Sequence, residues 1–360
     1  MLHAAAGSRL TLTGATGFVG RRLLTHIAQT VVGERAFAEQ GQPTAQGSTH
    51  TNAGIAEVRV HTRRPLPAAI ASGNTLVSGN TLTTQGAPVA VPISQCGGDL
   101  LQMQTWRTLL RDTDVVVHAA GAVRGRNAAD FAVNHLAVSA LLQAIETLPK
   151  PPRILLISSL AARRPELSDY AGSKRQGELN LLARSGLPAC ILRPPAIYGP
   201  GDVEMLPLLR IIARGIGVYP GDLDARVSLL HIDDLCRLIL AWVQAPVFGI
   251  TVEPDDGTQD GYRWRDLHSA VAAVAGRRVR PMRLSPKLLH RVATVLALAG
   301  QRPGNARAPM LSHGKVRELT APEWVCSPMH GEVRTWSPRI GLHAGLSRLL
   351  LQPADQSILV

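Results

Sequence analysis

Residues 9–24 read RLTLTGATGFVGRRLL and predict a strand, a tight turn and a helix in succession. Leu10–Thr13 is a short run typical of a buried strand, and the apolar residues that follow the turn recur at helical spacing. Three glycines, Gly14, Gly17 and Gly20, occupy the turn between strand and helix. The first glycine of such a turn permits a tight bend, the second lets a pyrophosphate approach the backbone, and the third lets helix and strand pack closely.

The helix predicted from Phe18 onward would offer free N–H groups and the positive end of its dipole to a phosphate. The alternative interpretation is a glycine-rich turn that binds no ligand. The position of this turn between a strand and a helix favours dinucleotide binding. We therefore predict cofactor contacts from Gly14, Thr16, Gly17, Phe18, Val19 and Gly20.

A second feature is the pair Tyr170 and Lys174, which are four residues apart and lie on one face of a predicted helix. The pKa of a free tyrosine is about 10, so its phenol is a poor base at neutral pH. A positive charge nearby favours the phenolate and lets the group exchange a proton with a substrate oxygen. This spacing alone is a weak signal, and it gains weight from the glycine turn that precedes it.

Together the two features resemble the extended branch of the short-chain dehydrogenase/reductase superfamily, which includes sugar-nucleotide epimerases, dehydratases and 3β-hydroxysteroid-dehydrogenase-like enzymes. Further segments resemble that family's motifs in the family's order: Asp114–Gly121, Phe131–His135, Ile154–Ser159, Leu192–Asp202, Leu230–Leu235 and Trp336–Pro338. The resemblance covers nearly the whole chain. It implies an α/β fold, with a Rossmann-type doubly wound parallel sheet and a smaller mixed C-terminal substrate lobe.

The resemblance also implies a catalytic set. Tyr170 would be the acid–base group, and Lys174 would lower its pKa and hydrogen-bond the nicotinamide ribose. Ser159 would hold the substrate oxygen, with Ser158 as the competing serine, and Asn134 would help to fix the lysine. The loop over the cofactor would comprise Ala119, Ala120 and Gly121.

The charge of the residues after the second strand bears on whether the cofactor is NAD or NADP. NAD-binding Rossmann proteins commonly place an acidic residue after the second strand, but this chain has Arg63 and Arg64 there. An arginine can pair bidentately with a 2′-phosphate, so NADP is favoured over NAD. The alternative is that both arginines are solvated loop charges. Asp99, followed by Leu100, resembles the family residue that contacts adenine.

Residues 1–200 are predicted to form the dinucleotide-binding domain, with loop insertions near 35–57 and 67–88, and residues 201–360 mostly the substrate lobe. The predicted sheet strands are Leu10–Thr13, Val58–Thr62, Val89–Ile93, Val115–His118, Ile154–Ser158 and Ala189–Arg193. In the lobe we expect helices over Met205–Ile216, Asp233–Val243, Trp264–Ala275 and Pro286–Ala299, and short strands near Val227–His231 and Gly249–Val252. Residues 301–335 are expected to be irregular, and a helix over Leu342–Leu351 ends the fold.

Several charged residues invite a functional interpretation. Arg193 is expected to pair with an acid beneath it rather than to anchor a substrate. Glu178, one turn after Lys174, is expected to face solvent or to pair locally. The resemblance makes His231 and the neighbouring aspartates a structural landmark, so no metal site is predicted.

The bulk properties favour an ordinary globular protein, with 360 residues of which 45% are hydrophobic and 18% charged. Four scattered cysteines and an early phosphate-binding turn predict a cytoplasmic protein without a signal peptide. The net charge of +12 comes from dispersed arginines without interleaved aromatics, which argues against specific nucleic-acid binding. No apolar run reaches the about 20 residues of a membrane span. Leu284–Gly300 is either a buried amphipathic helix, a substrate lid or a peripheral membrane contact.

Three functions follow. The first is an NADP-dependent reductase or dehydrogenase for a small molecule that is lipid-, steroid- or acyl-like. This is favoured by the basic chain, the apolar segment Leu284–Gly300 and the short connection between Ser159 and Tyr170. The second is a sugar-nucleotide epimerase with tightly bound NAD, and the third is a non-catalytic dinucleotide-binding scaffold or sensor. A homodimer through the helices after the fourth and fifth strands is a family expectation.

Overall fold

The computed structural model describes residues 7–38, 54–63, 91–300, 311–329, 333 and 336–351. The strands in this part of the chain are β1 Ser8–Thr13, β2 Ile55–His61, β3 Ile93–Cys96, β4 Val115–His118, β5 Arg153–Ile157, β6 Ala189–Leu192, β7 Ala196–Tyr198, β8 Ile216–Pro220, β9 Arg226–Val227, β10 Leu229–His231, β11 Ile250–Val252, β12 Tyr262–Arg263, β13 Arg280–Leu284 and β14 Glu323–Trp324.

The helices are α1 Phe18–Ala38, α2 Met103–Leu109, α3 Val133–Ile145, α4 Asp169–Leu182, α5 Leu206–Ala213, α6 Ile232–Gln244, α7 Trp264–Ala275, α8 Pro286–Gly300, α9 His313–Thr320 and α10 Leu342–Leu351. Short 3₁₀ helices cover Ala128–Phe131, Leu160–Arg163 and Pro165–Leu167. Among the described helices, none is long and apolar enough to cross a membrane.

A seven-stranded parallel sheet in the order β11-β6-β5-β4-β1-β2-β3 forms the centre of the fold. Its strands are buried on both faces, as in β4, where Val115 and Val117 lie in one core and Val116 lies in the other. Helices α1 and α6 cover the first face, and α2, α3 and α4 cover the second. This arrangement is the predicted doubly wound Rossmann-type fold.

The strand order reverses beside β1, which pairs with β2 on one side and with β4 on the other. In a sheet of this kind a crevice opens at the carboxyl ends of the two strands that flank the reversal. The glycine turn follows β1 and the segment 119–121 follows β4, so both lie at this crevice.

A smaller lobe carries three short sheets, in the orders β10-β7, β12-β9-β14 and β13-β8. Its own core contains Tyr198, Leu209, Trp264, Leu267 and Leu346. Two elements beyond residue 200 belong to the central sheet and its core, because β11 pairs with β6 and α6 packs in the Rossmann core. The sheet thus takes its last strand from beyond the predicted boundary, which satisfies the outer hydrogen-bonding edge of β6.

Two predicted elements differ from the structure. The third strand is Ile93–Cys96 rather than Val89–Ile93, because Pro92 has no N–H for the ladder, although its carbonyl accepts from Val58 N at 2.9 Å. Residues 301–335 were expected to be irregular, but they contain α9 and β14. The insertion near 35–57 is bounded by the end of α1 at Ala38 and the start of β2, and the insertion near 67–88 lies outside the described residues.

Candidate active site at the sheet reversal

The glycine turn is held against the end of β4 by close backbone contacts. Gly14 has a φ of 73°, and a Cβ on it would lie 2.6 Å from the carbonyl of Ala119. Gly17 N donates to the Gly14 carbonyl at 2.9 Å, and a Cβ on Gly20 would collide with that same carbonyl. Each glycine therefore meets a steric requirement of the turn.

The outer side of the turn is accessible, since Thr16 and Gly17 are exposed while Phe18 and Val19 are half-buried against the core. An open backbone at the start of α1 is what a pyrophosphate needs. The residues predicted to hold a dinucleotide therefore fit one.

A buried histidine joins the ends of β1 and β4. His118 Nδ1 and Thr13 Oγ1 are 2.8 Å apart, and Thr13 Oγ1 also accepts from Ala120 N at 3.2 Å. Burial lowers the pKa of His118 to about 3, with smaller contributions from the charges of Lys174 and His61. His118 is therefore neutral at physiological pH and acts as a fixed hydrogen-bonding group.

Asn134 ties the segment after β4 to α4. Its side chain accepts from Ala122 N at 2.8 Å and donates to the Ala122 carbonyl and to Ser173 Oγ, each at 2.9 Å. A Cβ on Gly121 would lie 2.6 Å from Asn134 Oδ1 and 3.2 Å from Lys174 Nζ. The predicted cofactor loop and two of the predicted catalytic residues therefore meet at Gly121.

Lys174 directs its ammonium toward the end of β5, where Nζ donates to the Ile157 carbonyl at 3.1 Å. Burial lowers the pKa of Lys174 to about 8, and the negative charge of Glu178 acts in the opposite direction. The lysine is thus largely protonated at neutral pH.

Tyr170 differs from the expectation drawn from the Tyr–Lys spacing. Burial raises the pKa of Tyr170 to about 12, a hydrogen bond with Ser159 acts to lower it, and the charges of Glu318 and Glu204 raise it further. The shift is opposite in direction to the one expected from Lys174. The phenol is therefore protonated at neutral pH in this structure.

The two serines after β5 have different surroundings and different hydrogen-bond partners. Ser159 caps the 3₁₀ helix Leu160–Arg163 through a 3.2 Å hydrogen bond from Ala161 N, and its side chain lies close enough to Tyr170 to act on the pKa of the phenol. Ser158 is buried and donates to Glu178 Oε1 at 2.6 Å. The structure thus brings Ser159 to Tyr170 and directs Ser158 into the interior.

A buried ion cluster lies beneath the site. Arg193 donates to both carboxylate oxygens of Glu178, at 2.8 and 2.6 Å, and lies 3.3 Å from Glu253. The predicted pairing of Arg193 with an acid is confirmed. The expectation that Glu178 faces solvent is wrong, since its side chain is fully buried, although it also pairs locally with Arg175 at 3.1 Å. A buried carboxylate needs such partners to remain charged.

Helix α9, which was not predicted, braces the start of α4, the helix that contains Tyr170. Glu318 accepts from Ser168, the residue that caps α4, and from Lys315 at 3.1 Å. Arg317 Nε donates to the Leu167 carbonyl at 2.7 Å. Sequence reasoning missed Glu318 because its contact lies 150 residues away along the chain.

A second missed pair is Arg124 and Glu204, whose Nε and Oε1 are 2.7 Å apart. Arg124 lies shortly after β4 and Glu204 shortly after β7, so the ion pair joins the two lobes beside Tyr170. Neither residue stands in a motif that could have revealed it.

The residues predicted to choose the cofactor lie at the other end of the crevice. Arg63 is exposed after β2, and Arg64 lies outside the described residues. Asp99 is exposed and its Oδ1 accepts from Leu101 N at 3.0 Å, whereas the Leu100 side chain is buried in the core. Leu100 can therefore contact a cofactor only through its backbone.

The predicted structural landmark after β10 does hold elements together. Asp233 accepts from Arg22 at 2.5 Å and lies 2.9 Å from His26, both in α1. Burial acts to raise the pKa of Asp233, but these hydrogen bonds outweigh it and hold the pKa below its ordinary value. Asp234 accepts from the backbone N–H groups of Arg339 and Ile340. Over the described ranges, no three His, Cys, Asp or Glu residues are grouped closely enough to hold a metal ion.

Comparison with known proteins identifies the family to which the chain is similar. The sequence model of the NAD dependent epimerase/dehydratase family matches residues 10–253. A protein of Caulobacter vibrioides (strain NA1000 / CB15N) named ceramide reductase is 36% identical over 233 residues, which cover 64% of this chain and 71% of that protein. A protein of Arabidopsis thaliana named 3beta-hydroxysteroid-dehydrogenase/decarboxylase isoform 1 is 28% identical over 227 residues, and the match covers 59% of this chain and 49% of the plant protein.

Among solved structures, a dTDP-glucose 4,6-dehydratase from Bacillus anthracis str. Ames in complex with NAD superposes with a TM-score of 0.63 at 13% identity, over 96% of both chains. At that identity the likeness concerns the fold alone. Because the family's sequence model matches most of the chain and the bacterial relative shares more than a third of the aligned residues, this chain is an enzyme of the NAD-dependent epimerase/dehydratase family, among the oxidoreductases and epimerases that use a nicotinamide dinucleotide.

Proposed function

We propose that the protein is a reductase that transfers a hydride from a nicotinamide cofactor to a carbonyl of an apolar, lipid-like substrate. The observation that carries this proposal is the placement of Ser159 beside a protonated Tyr170, close enough to act on its pKa, next to Lys174 at the end of β5. Two hydroxyls held in this way can grip one substrate oxygen.

The protonation state of Tyr170 supports the direction of the reaction. The bound cofactor supplies the hydride. The carbonyl oxygen then needs a proton, which a phenol with a pKa of about 12 carries at neutral pH. Ser159 orients the oxygen, and Tyr170 donates the proton and regains one from solvent. Lys174, as a cation beside the site, stabilises the transient phenolate.

We propose NADP as the cofactor rather than NAD. In support, His61, Thr62 and Arg63 at the end of β2 bring no carboxylate to the place where a ribose 2′-hydroxyl would bind. The exposed guanidinium of Arg63 suits a 2′-phosphate. The residues of this chain support NADP even though the family model is named for NAD.

The apolar substrate is supported by the residues that follow Ser159 along the chain. Leu160, Ala161 and Ala162 follow Ser159 without a polar or acidic side chain, and all three are buried. A sphingolipid is also the substrate class in the name of the bacterial relative.

The test is cofactor oxidation by the purified full chain, followed as loss of NADPH absorbance. A long-chain ketolipid in detergent micelles is expected to be reduced, while UDP-glucose leaves the cofactor unchanged. Turnover of sugar nucleotides alone would contradict the proposal.

The second candidate is a sugar-nucleotide epimerase with tightly bound NAD, which the match to the NAD dependent epimerase/dehydratase family model favours. Its signature would be dinucleotide retained through purification, read as absorbance and as NAD released on denaturation. A protein purified without dinucleotide would exclude it. A scaffold without activity is the third candidate, and the presence of both Tyr170 and Lys174 disfavours it.

We also propose that the protein is a cytoplasmic homodimer. All four cysteines are unpaired, as suits a reducing compartment. Helices α3 and α4 pack together and expose Leu136, Leu179 and Leu182, whose exposed fractions are 42%, 43% and 53%. Such a two-helix apolar surface fits a second copy of the same surface.

A further inference from the structure

One face of α8 is apolar and open to solvent. Leu288, Val292 and Val295 follow one another at helical spacing, with exposed fractions of 48%, 41% and 64%. Leu296 extends this stripe at 39% exposed. Aliphatic side chains in a continuous exposed row mark a contact surface on a folded protein.

The adjoining face of α8 already has its partner. Leu289 and Ala293 are buried against Val316 of α9, and this small core holds the helix on the lobe. The exposed stripe is therefore distinct from the residues through which α8 contacts the core of the lobe. It is an exposed face of a helix that the adjoining buried face anchors to α9.

The positive charge around the stripe indicates an anionic partner. Residues 267–300 contain six Arg or Lys residues and no Asp or Glu. Lys287 and Arg291 are both exposed, each immediately precedes a residue of the stripe, and no carboxylate among the described residues pairs with either. Arg280 and Arg283, exposed in β13, lead directly into the helix. An apolar row bordered by cations is the pattern of a helix that lies in the interface of an anionic bilayer.

The position of α8 connects this surface to the site. Helix α8 packs on α9, and Glu318 of α9 hydrogen-bonds Ser168 at the start of the helix that carries Tyr170. A surface that binds a bilayer would thus lie two elements away from the catalytic tyrosine.

We propose that the exposed face of α8, formed by Leu288, Val292, Val295 and Leu296 with Lys287 and Arg291, docks the protein onto the surface of an anionic lipid bilayer. Binding is peripheral, with the apolar row in the acyl boundary and the two cations among the headgroups. The proposal concerns a surface outside the catalytic residues, so it stands or falls independently of the reaction.

The experiment is sedimentation of the full chain with vesicles. Vesicles of phosphatidylcholine and phosphatidylglycerol in equal parts are expected to bind the protein at low salt, and vesicles of phosphatidylcholine alone to bind it weakly. High salt should release it, because exposed charges are screened. Val295→Asp should lower the partition constant on the order of tenfold or more, since it removes an aliphatic side chain that would enter the bilayer and adds a negative charge.

The double variant Lys287→Gln/Arg291→Gln alters only exposed polar side chains, so it is less prone to misfold than Val295→Asp. Each lost cation should weaken vesicle binding about fivefold. Phe248→Asp is the matched control: Phe248 is 43% exposed on a loop before β11, and this variant should bind vesicles as the wild type does. Thermal unfolding of each variant verifies folding. The proposal would be overturned if the wild type did not sediment with anionic vesicles. It would also be overturned if Val295→Asp and Lys287→Gln/Arg291→Gln bound these vesicles as tightly as the wild type. A shift from dimer to monomer in Val295→Asp without vesicle binding by the wild type would overturn it as well and would assign the stripe to a second copy.

Discussion

The hydroxyl of Tyr170 is influenced by one hydrogen-bond partner and two carboxylates. Ser159 favours the phenolate, whereas burial and the charges of Glu318 and Glu204 favour the phenol. At the scale of single residues, Tyr170 therefore holds its proton at neutral pH, as the proposed reduction requires. The expectation that Lys174 dominates this pKa is not met, because its ammonium is directed to the Ile157 carbonyl.

Substitution of Tyr170 by Phe tests the catalytic assignment. Tyr170→Phe removes the proton donor and should lower kcat by about 10²–10⁴-fold while binding of NADPH, measured by fluorescence titration, is unchanged. Tyr219→Phe, in β8 of the lobe, is the matched control and should retain full turnover. Full activity of Tyr170→Phe would refute the assignment.

Glu318 is a positioning residue whose charge should be visible in the pH dependence. Reduction needs protonated Tyr170, so the rate falls as pH rises through the pKa of this residue. Glu318→Gln removes a negative charge that raises this pKa, and its amide can still accept from Ser168. The basic limb of the pH profile of kcat/KM should therefore move to lower pH.

The control for this experiment is Glu323→Gln, in exposed β14, which should leave the profile in place. An unshifted basic limb in Glu318→Gln, with a normal unfolding temperature, would show that Glu318 has no electrostatic influence on the tyrosine.

The prediction that the cofactor is NADP rather than NAD depends on Arg63. Arg63→Ser removes the proposed partner of the 2′-phosphate, and a charge-assisted hydrogen bond is worth about 1.5–3 kcal/mol. The value of kcat/KM for NADPH should fall about 10–100-fold, with the value for NADH unchanged. Arg107→Ser, at an exposed position of α2, serves as control. Equal effects on both cofactors would argue against a role for the 2′-phosphate.

At the scale of elements, the carboxyl ends of β1 and β4 are joined by Thr13 and His118. This contact places the glycine turn against the segment that contains Gly121. It depends on a neutral imidazole, because burial disfavours the charged form.

The buried histidine makes stability dependent on pH. In the unfolded chain His118 binds a proton below about pH 6.5, whereas in the fold it does so only near pH 3, so stability is complete above pH 6.5 and is lost as pH falls toward 3. Between pH 7 and pH 5 this loss amounts to about 2 kcal/mol. His118→Gln should reduce the acid-induced fall of the free energy of unfolding by about that amount, measured by urea denaturation at both pH values.

His343→Gln, at an exposed position of α10, is the matched control and should leave the acid sensitivity as it is in the wild type. His231, whose pKa burial lowers to about 4, contributes a similar loss and remains in both variants. Identical acid sensitivity in His118→Gln and the wild type would contradict the account of the β1–β4 contact.

At the scale of the whole molecule, the proposed dimer predicts an effect far from the site. Leu182→Asp places a charge on the exposed apolar surface of α3 and α4 and should convert a dimer to a monomer in light scattering after size exclusion. Phe248→Asp, exposed on another part of the surface, should remain dimeric. A wild-type monomer would rule out this surface as an interface.

Much of the fold is predictable from local pattern. The turn with Gly14, Gly17 and Gly20 and the apolar strands after it depend on short-range sterics and side-chain periodicity, which are written in neighbouring residues. Pro92 shows the limit of that reasoning, because the strand begins after it rather than around it. Helix α9 was missed since its short polar sequence is held by contacts to the Ser159–Tyr170 connection.

Spacing and order along the chain are enough to predict the Rossmann-type sheet and the dinucleotide turn, and the family resemblance adds the candidate set of Asn134, Ser159, Tyr170 and Lys174. The folded structure was needed to show that Ser159 rather than Ser158 lies beside the tyrosine, that the phenol is protonated, and that Glu318 braces its helix. Burial and long-range charge set those properties, and both depend on residues that come together only when the chain folds.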